Sequence, residues 1–227
     1  MLITFSGLDG AGKSTQIGLL ACWLEGMDYL VVRLWARGGY TPGFEMLKRV
    51  IRRLSGRRLP PPGASLDRQQ TLSRPWVAEV WLRMAIFDLI LLWVVYLRWL
   101  RWRGRVVICD RFLYDTFLDF RRNFPTVDFE RFFLWQVLER LAPRPDVAFV
   151  LWIPVEDSVR RSLAKNEPFP DDEATLAWRL AAYLDELTFP TARYTRVDCR
   201  PTPNEVSATI QHKVAEYAAH RGRAGAA

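Results

Sequence analysis

LITFSGLDGAGKSTQ, residues 2–16, joins a short apolar run, a glycine-rich loop and the opening of a helical pattern. Within it, Gly7, Gly12, Lys13 and Ser14 follow the spacing Gly, four residues, Gly, Lys, Ser. Where a strand feeds such a loop and a helix leaves it, glycines let backbone N–H groups converge on phosphate oxygens, and the helix presents the positive end of its dipole. Lysine then reaches the β and γ phosphates, and the serine hydroxyl ligates Mg²⁺. Both flanks here have the required character. The stretch therefore predicts ATP with magnesium, held by Gly7, Asp9, Gly10, Ala11, Gly12, Lys13, Ser14 and Thr15.

Working outward, apolar β-type runs recur at 2–5, 29–35, 105–109 and 147–153, with a weaker one at 193–198. Helical patterns separate them at 13–26, 44–55, 75–102, 127–141, 155–164, 173–187 and 203–220. Strands alternating with helices need crossover connections, so the expected architecture is α/β with a mainly five-stranded parallel sheet in three layers. One domain over 1–220 accommodates this, followed by a frayed tail at 221–227. PPPGASLDRQQ at 60–70 reads as a surface connection. KNEPFPDDE at 165–173 joins two helices, is charged and carries two prolines, which suits a mobile lid over about 160–173.

RVVICDRF, residues 105–112, is a buried-type strand that delivers Asp110 and Arg111 at its C-terminal end. In an open parallel sheet ligands bind beyond the carboxyl ends of the strands, so this pair is expected to face the same crevice as the loop. Asp110 is placed to hold Mg²⁺ through water, and Arg111 to clamp a phosphoryl oxygen. A strand-end ion pair between the two is the competing reading.

Composition bears on partners. Lysine occurs only at 13, 48, 165 and 213, so the net charge of +7 is almost wholly an arginine charge. Arginine suits planar, bidentate contact with phosphate or carboxylate, which favours phosphorylated small molecules; no nucleic acid is expected. Cys22, Cys109 and Cys199 are far apart and in no metal-like spacing, which points to reduced thiols and a cytoplasmic location. The segment 85–104 is strongly apolar, yet its uninterrupted part covers only 89–97, and a core helix is expected rather than a membrane span. Its end, RWLRWRGR at 98–105, interleaves tryptophan with arginine, a composition also found where helices lie on membrane surfaces; a solvated helix end is the alternative. The same Trp-rich helix is a candidate homodimer face.

ITFSGLDGAGKSTQ, then GGYTP, then VVICDRF, then a helix pair around a charged stretch, together resemble the thymidylate kinases among the P-loop nucleoside monophosphate kinases. The resemblance runs from residue 2 to about 220. It implies the fold of the P-loop NTPases with a helical lid, ATP as phosphoryl donor and a nucleoside monophosphate, most simply dTMP, as acceptor. It further implies that Asp9 approaches the acceptor sugar and that Arg37 and Arg111 contact the acceptor phosphate. Arg160, Arg161 and Lys165 fall where the family carries basic residues that neutralise charge during transfer. Catalysis on that pattern is positioning and charge stabilisation by Lys13, Asp110, Arg111, Arg160 and Arg161, without a covalent nucleophile.

The sequence departs from the family on the acceptor side. Ser6 stands where a glutamate is common, Asp88 or Leu89 where an arginine reads the base, and LYDTFLDF at 113–120 where a Tyr-Gln pair is usual. An ionised carboxylate only accepts hydrogen bonds, so Asp88, Asp115 and Asp119, with Tyr114 beside them, would suit an acceptor rich in hydroxyl or amino donors. Another nucleotide, a sugar or a lipid-linked phosphate is then the alternative acceptor. The competing reading pairs these carboxylates with Arg83, Arg121 or Arg122. A nucleotide-binding protein without turnover is the rival of a different class.

Overall fold

A computed structural model describes residues 1–35, 75–165 and 171–224. Arg37, the expected helix at 44–55, the Pro-rich connection at 60–70, residues 166–170 of the charged stretch and the last three residues lie outside these. The chain divides into two compact units. The first takes in Met1–Trp35, Leu100–Asp115 and the described chain from Arg144 onward; the described part of the second is 75–99 and 116–143.

The first unit is built on five parallel strands, β1 (Leu2–Gly7), β2 (Val31–Trp35), β3 (Val106–Asp110), β4 (Val147–Trp152) and β5 (Thr195–Asp198), in the order β2-β3-β1-β4-β5. All five expected strands are present, shifted at their ends by no more than two residues. β1 and β3 are buried on both faces because helices cover a parallel sheet on both sides, and Leu2, Ile3, Phe5, Val107, Ile108, Phe149, Val150 and Leu151 form the centre of the core. The chain leaves β1 towards β2 and β3 on one side, then reaches β4 and β5 on the other. β1 is therefore the point at which strand order reverses, and the loop after it is where such folds place ligands.

Helix α1 (Lys13–Glu25) follows that loop directly and packs against the C-terminal helix Pro203–Ala224. Gly7 closes β1 at φ +134°, and a Cβ there would overlap the Leu151 carbonyl oxygen of the neighbouring strand. Only glycine lets the chain leave the sheet at this point while keeping its pairing to β4.

In the second unit, α2 (Pro75–Leu89) continues through a π-helical stretch, Ile90–Tyr96, into α3 (Leu97–Trp102), whose last three residues belong to the first unit. Residues four apart drift by about 40° per step on an ideal α-helix. The wider π turn takes up that drift. Leu89, Trp93 and Leu97 therefore stay in one wholly buried line, while Phe87, Leu91, Val95 and Trp99 form an exposed one. The expectation of a core helix holds for the first line only, since 33% of the helix's most apolar window is buried. By length and composition alone this helix is long and apolar enough to cross a membrane.

A helix at α4 (Leu113–Asn123) was not expected from the sequence. Its signals were present: Asp115 in the first turn, Arg121 and Arg122 in the last, as the helix dipole prefers. The expected 127–141 helix instead splits into a 3₁₀ turn, Phe129–Arg131, and α5 (Phe133–Leu141), separated by Phe132 in extended conformation. Phe120, Phe129 and Trp135 pack edge to face, with Phe129 and Trp135 5.0 Å apart between ring centroids. α6 (Val155–Ala164), α7 (Glu173–Leu184) and α8 (Pro203–Ala224) complete the helices of the first unit. α7 is capped by Asp172, which accepts from the Thr175 N–H at 2.6 Å, and it stops at Asp185, whose carboxylate turns to Thr188.

Candidate active site

Register brings the two predicted motifs together. Phe5 of β1 pairs with Asp110 of β3, and the Arg111 N–H donates to the Phe5 carbonyl at 2.9 Å. The loop 7–12 and the Asp110–Arg111 pair therefore leave the sheet side by side.

The loop ends at Gly12, which precedes α1 in left-handed conformation, φ +87°, and offers the helix no side-chain cap. No acidic residue occupies the first turn of α1. The first N–H groups of α1 are thus left for an anion, with Ser14 and Thr15 exposed beside them. Lys13 is 7% exposed, and its Nζ donates to the carbonyls of Gly7 at 3.0 Å and Leu8 at 2.7 Å. Burial, and then the Arg111 charge, hold its pKa below the ordinary value.

Asp9 is the hub of the cluster. One carboxylate oxygen, Oδ1, accepts from Arg111 Nη2 at 2.5 Å and lies 3.6 Å from Lys13 Nζ. Its backbone carbonyl accepts from Ser158 Oγ of α6 at 2.6 Å. One turn along the same helix, Arg161 donates to the Gly10 carbonyl at 3.4 Å and to the Cys199 carbonyl, just past β5, at 3.1 Å. A Cβ on Gly10 would meet the Ser158 carbonyl oxygen at 3.1 Å, so the glycine gives α6 its close approach to the loop. Sequence reading passed over Ser158; its i,i+3 spacing to Arg161 was the available signal.

Arg111 is 5% exposed and sits at φ +70°, a left-handed conformation that a side-chain-bearing residue adopts only when its surroundings impose it. Asp115 helps to impose it. Asp115 Oδ2 accepts from the Phe112 N–H at 3.0 Å and Ser6 Oγ at 2.7 Å, and Oδ1 from the Tyr183 hydroxyl at 2.8 Å. Expected at the acceptor, Asp115 is 1% exposed with both oxygens engaged inside the protein. Ser6, which replaces a carboxylate of the family pattern, is here its hydrogen-bond donor. Tyr114 is half-buried, its ring against Phe189 and Tyr194.

Asp110 is half-buried, and its Oδ1 is buried without a hydrogen-bond partner. Burial raises its pKa, with Lys13 and Arg111 pulling the other way. A carboxylate left in that condition is suited to a cation. Among the described residues no group of three His, Cys, Asp or Glu side chains forms a metal cage. Magnesium does not need one, since it is usually held by one or two protein groups, water and substrate phosphates, and Asp110 with the Ser14 hydroxyl fits that donor set.

Arg160 is exposed and pairs with Asp157 at 2.6 Å, and Lys165 is exposed at the end of α6. Asp88, half-buried on α2, and Asp119, buried on α4, belong to the second unit, and both have partners within the protein. Arg83 is engaged with Glu79 at 2.8 Å and Arg121 with Glu130 at 3.1 Å.

No protein-family model matches the chain. Curated relatives do. The chain is 30% identical over 221 residues, 96% of its own length and 95% of the relative's, to a probable thymidylate kinase of Methanobrevibacter smithii. It is 32% identical over 168 residues, 72% of this chain and 70% of the relative, to a probable thymidylate kinase of Pyrococcus abyssi. A thymidylate kinase of Neisseria gonorrhoeae is 28% identical over 223 residues, 92% and 93% of the two chains. With a parallel α/β fold of P-loop kinase type, a glycine-rich loop at the sheet's reversal point and likeness over almost its whole length, the chain belongs to the thymidylate kinase family of phosphotransferases.

Proposed function

We propose that the protein transfers the terminal phosphoryl group of ATP to dTMP, giving dTDP and ADP, with magnesium. The observation that carries the reading is the cluster in which Lys13 and Arg111 converge on Asp9 at the reversal point of the sheet, in a chain 30% identical across nearly its full length to a probable thymidylate kinase.

On this reading the N–H groups of the loop and of the first turn of α1 bind the donor's β phosphate. Lys13 leaves the Gly7 and Leu8 carbonyls for the β and γ phosphates. The Ser14 hydroxyl and, through water, Asp110 would hold magnesium, which when bound would neutralise charge on the donor's phosphates. Asp9 turns to the acceptor sugar and releases Arg111, which with Arg37 orients the acceptor phosphate for in-line attack on the γ phosphorus. Arg161 fixes α6 against the loop, while Arg160 and Lys165 contribute positive charge as phosphoryl transfer proceeds.

The alternative of a donor-rich acceptor read from Asp88, Asp115 and Asp119 loses Asp115, whose two carboxylate oxygens are engaged inside the protein. ADP release with ATP and magnesium, measured across a panel of nucleoside monophosphates, sugars and sugar phosphates, is expected to be fastest with dTMP. Lys13→Ala should abolish it. If no acceptor raises ADP release while ATP still binds, the protein is a nucleotide binder and the reading is wrong.

A further inference from the structure

The geometry points to Tyr183 as a positioning residue that holds Arg111 for phosphoryl transfer and ties it to α7, the helix that follows the charged stretch at 165–173. This inference rests on the reading of Arg111 as the group that orients the acceptor phosphate.

Tyr183 is fully buried in the last turn of α7. Its hydroxyl donates to Asp115 Oδ1 at 2.8 Å and accepts from Arg111 Nη1 at 3.4 Å. Beyond Arg111 comes Asp9 of the glycine-rich loop, so the hydroxyl is the second link in a chain Asp115, Tyr183, Arg111, Asp9. Every link is buried or half-buried, where such bonds hold direction well.

Packing alone does not call for the hydroxyl. The ring lies 5.2 Å from Phe189 in a cluster that also contains Tyr114 and Tyr194, and phenylalanine would fill the same space without a polar atom to satisfy. What the oxygen adds is an acceptor for Nη1 at the edge of the guanidinium, while Asp9 takes Nη2. When Asp9 turns to an acceptor, the Tyr183 hydroxyl still accepts from Nη1 and resists rotation of the Arg111 plane. The other end of α7 carries Asp172 as its cap, and Arg179, one turn before Tyr183, pairs with Asp171 at 2.7 Å. A displacement of α7 is thus transmitted to Arg111 through one hydrogen bond.

The test is Tyr183→Phe in the full chain, read by steady-state kinetics with ATP and dTMP and by the NMR signals of the Arg111 guanidinium, assigned with Arg111→Lys. The expected result is a fall in kcat of about tenfold with KM for ATP within about twofold of the parent, and a shifted or broadened Arg111 signal. If the variant does not fold, Asp115→Asn, which weakens the same chain while keeping its shape, is expected to act in the same direction. An unchanged kcat, a loss expressed only through KM for ATP, or an Arg111 signal like the parent's overturns the inference. If the parent has no dTMP activity but Tyr183→Phe still alters the Arg111 signal, the link between Tyr183 and Arg111 stands and the assignment of the acceptor fails.

Discussion

Asp110 ends β3 with one carboxylate oxygen buried and without a hydrogen-bond partner, and burial outweighs the pull of Lys13 and Arg111 to raise its pKa above the ordinary 3.8. The folded chain therefore binds that proton more tightly than the unfolded chain. The stability this group contributes is present below pH 3.8 and is lost as pH rises through its folded-state value. Asp110→Asn removes the ionised state. The variant should melt above the parent at pH 7, with the difference closing as pH falls towards 3.8, in thermal unfolding followed across pH without nucleotide. Added ATP and magnesium should raise the parent's midpoint more than the variant's. At this scale the loop and the Asp110–Arg111 pair were legible as motifs because their spacing is local, and the sheet register sets them side by side. The sequence did not show that Asp115 faces inward or that Tyr183 reaches Arg111, since those contacts join residues 68 and 72 positions apart.

Elements carry the site through their edges. β1 must end where the loop begins, and Gly7 makes that possible by having no Cβ to strike the Leu151 carbonyl. Gly7→Ala should destabilise the protein by about 3 kcal/mol, since the obstacle is backbone and the φ is one that alanine avoids; urea unfolding measures it. The long helix of the second unit makes the complementary point. Its apolar repeat at four-residue spacing is visible in the sequence, but at that spacing an α-helix and a π-helical stretch cannot be told apart. Trp93 and Leu97 are buried in line with Leu89 because the π turn exists. Trp93→Ala should cost about 4 kcal/mol, as expected for removing a fully buried indole, and the loss is read from the denaturation midpoint. α4 was missed for a related reason: LYDTFLDFRRN mixes apolar, acidic and basic residues without a long repeat, and its dipole-matched ends are a weaker signal than periodicity.

Over the whole molecule, distant parts of the first unit meet at Asp146. Its carboxylate accepts from the Leu2 N–H at the start of β1 at 2.6 Å, from Arg101 at 3.1 Å and from the Tyr217 hydroxyl of α8 at 2.7 Å. Asp146→Ala leaves all three donors without that acceptor and should lower stability by about 2–3 kcal/mol. Hydrogen exchange should then increase at the start of β1 and along α8 ahead of the sheet centre. The sequence by itself determined the parallel α/β class, the five strands and the glycine-rich loop, because strand periodicity, helix repeats and loop spacing are properties of neighbours along the chain. Only the tertiary structure decided the order β2-β3-β1-β4-β5, the approach of α6 to Gly10, the inward turn of Asp115 and the capture of Arg111 between Asp9 and Tyr183. Those depend on which distant segments are buried against one another. Burial sets the direction of a charged side chain by the partners it must find there, and no local pattern encodes that choice.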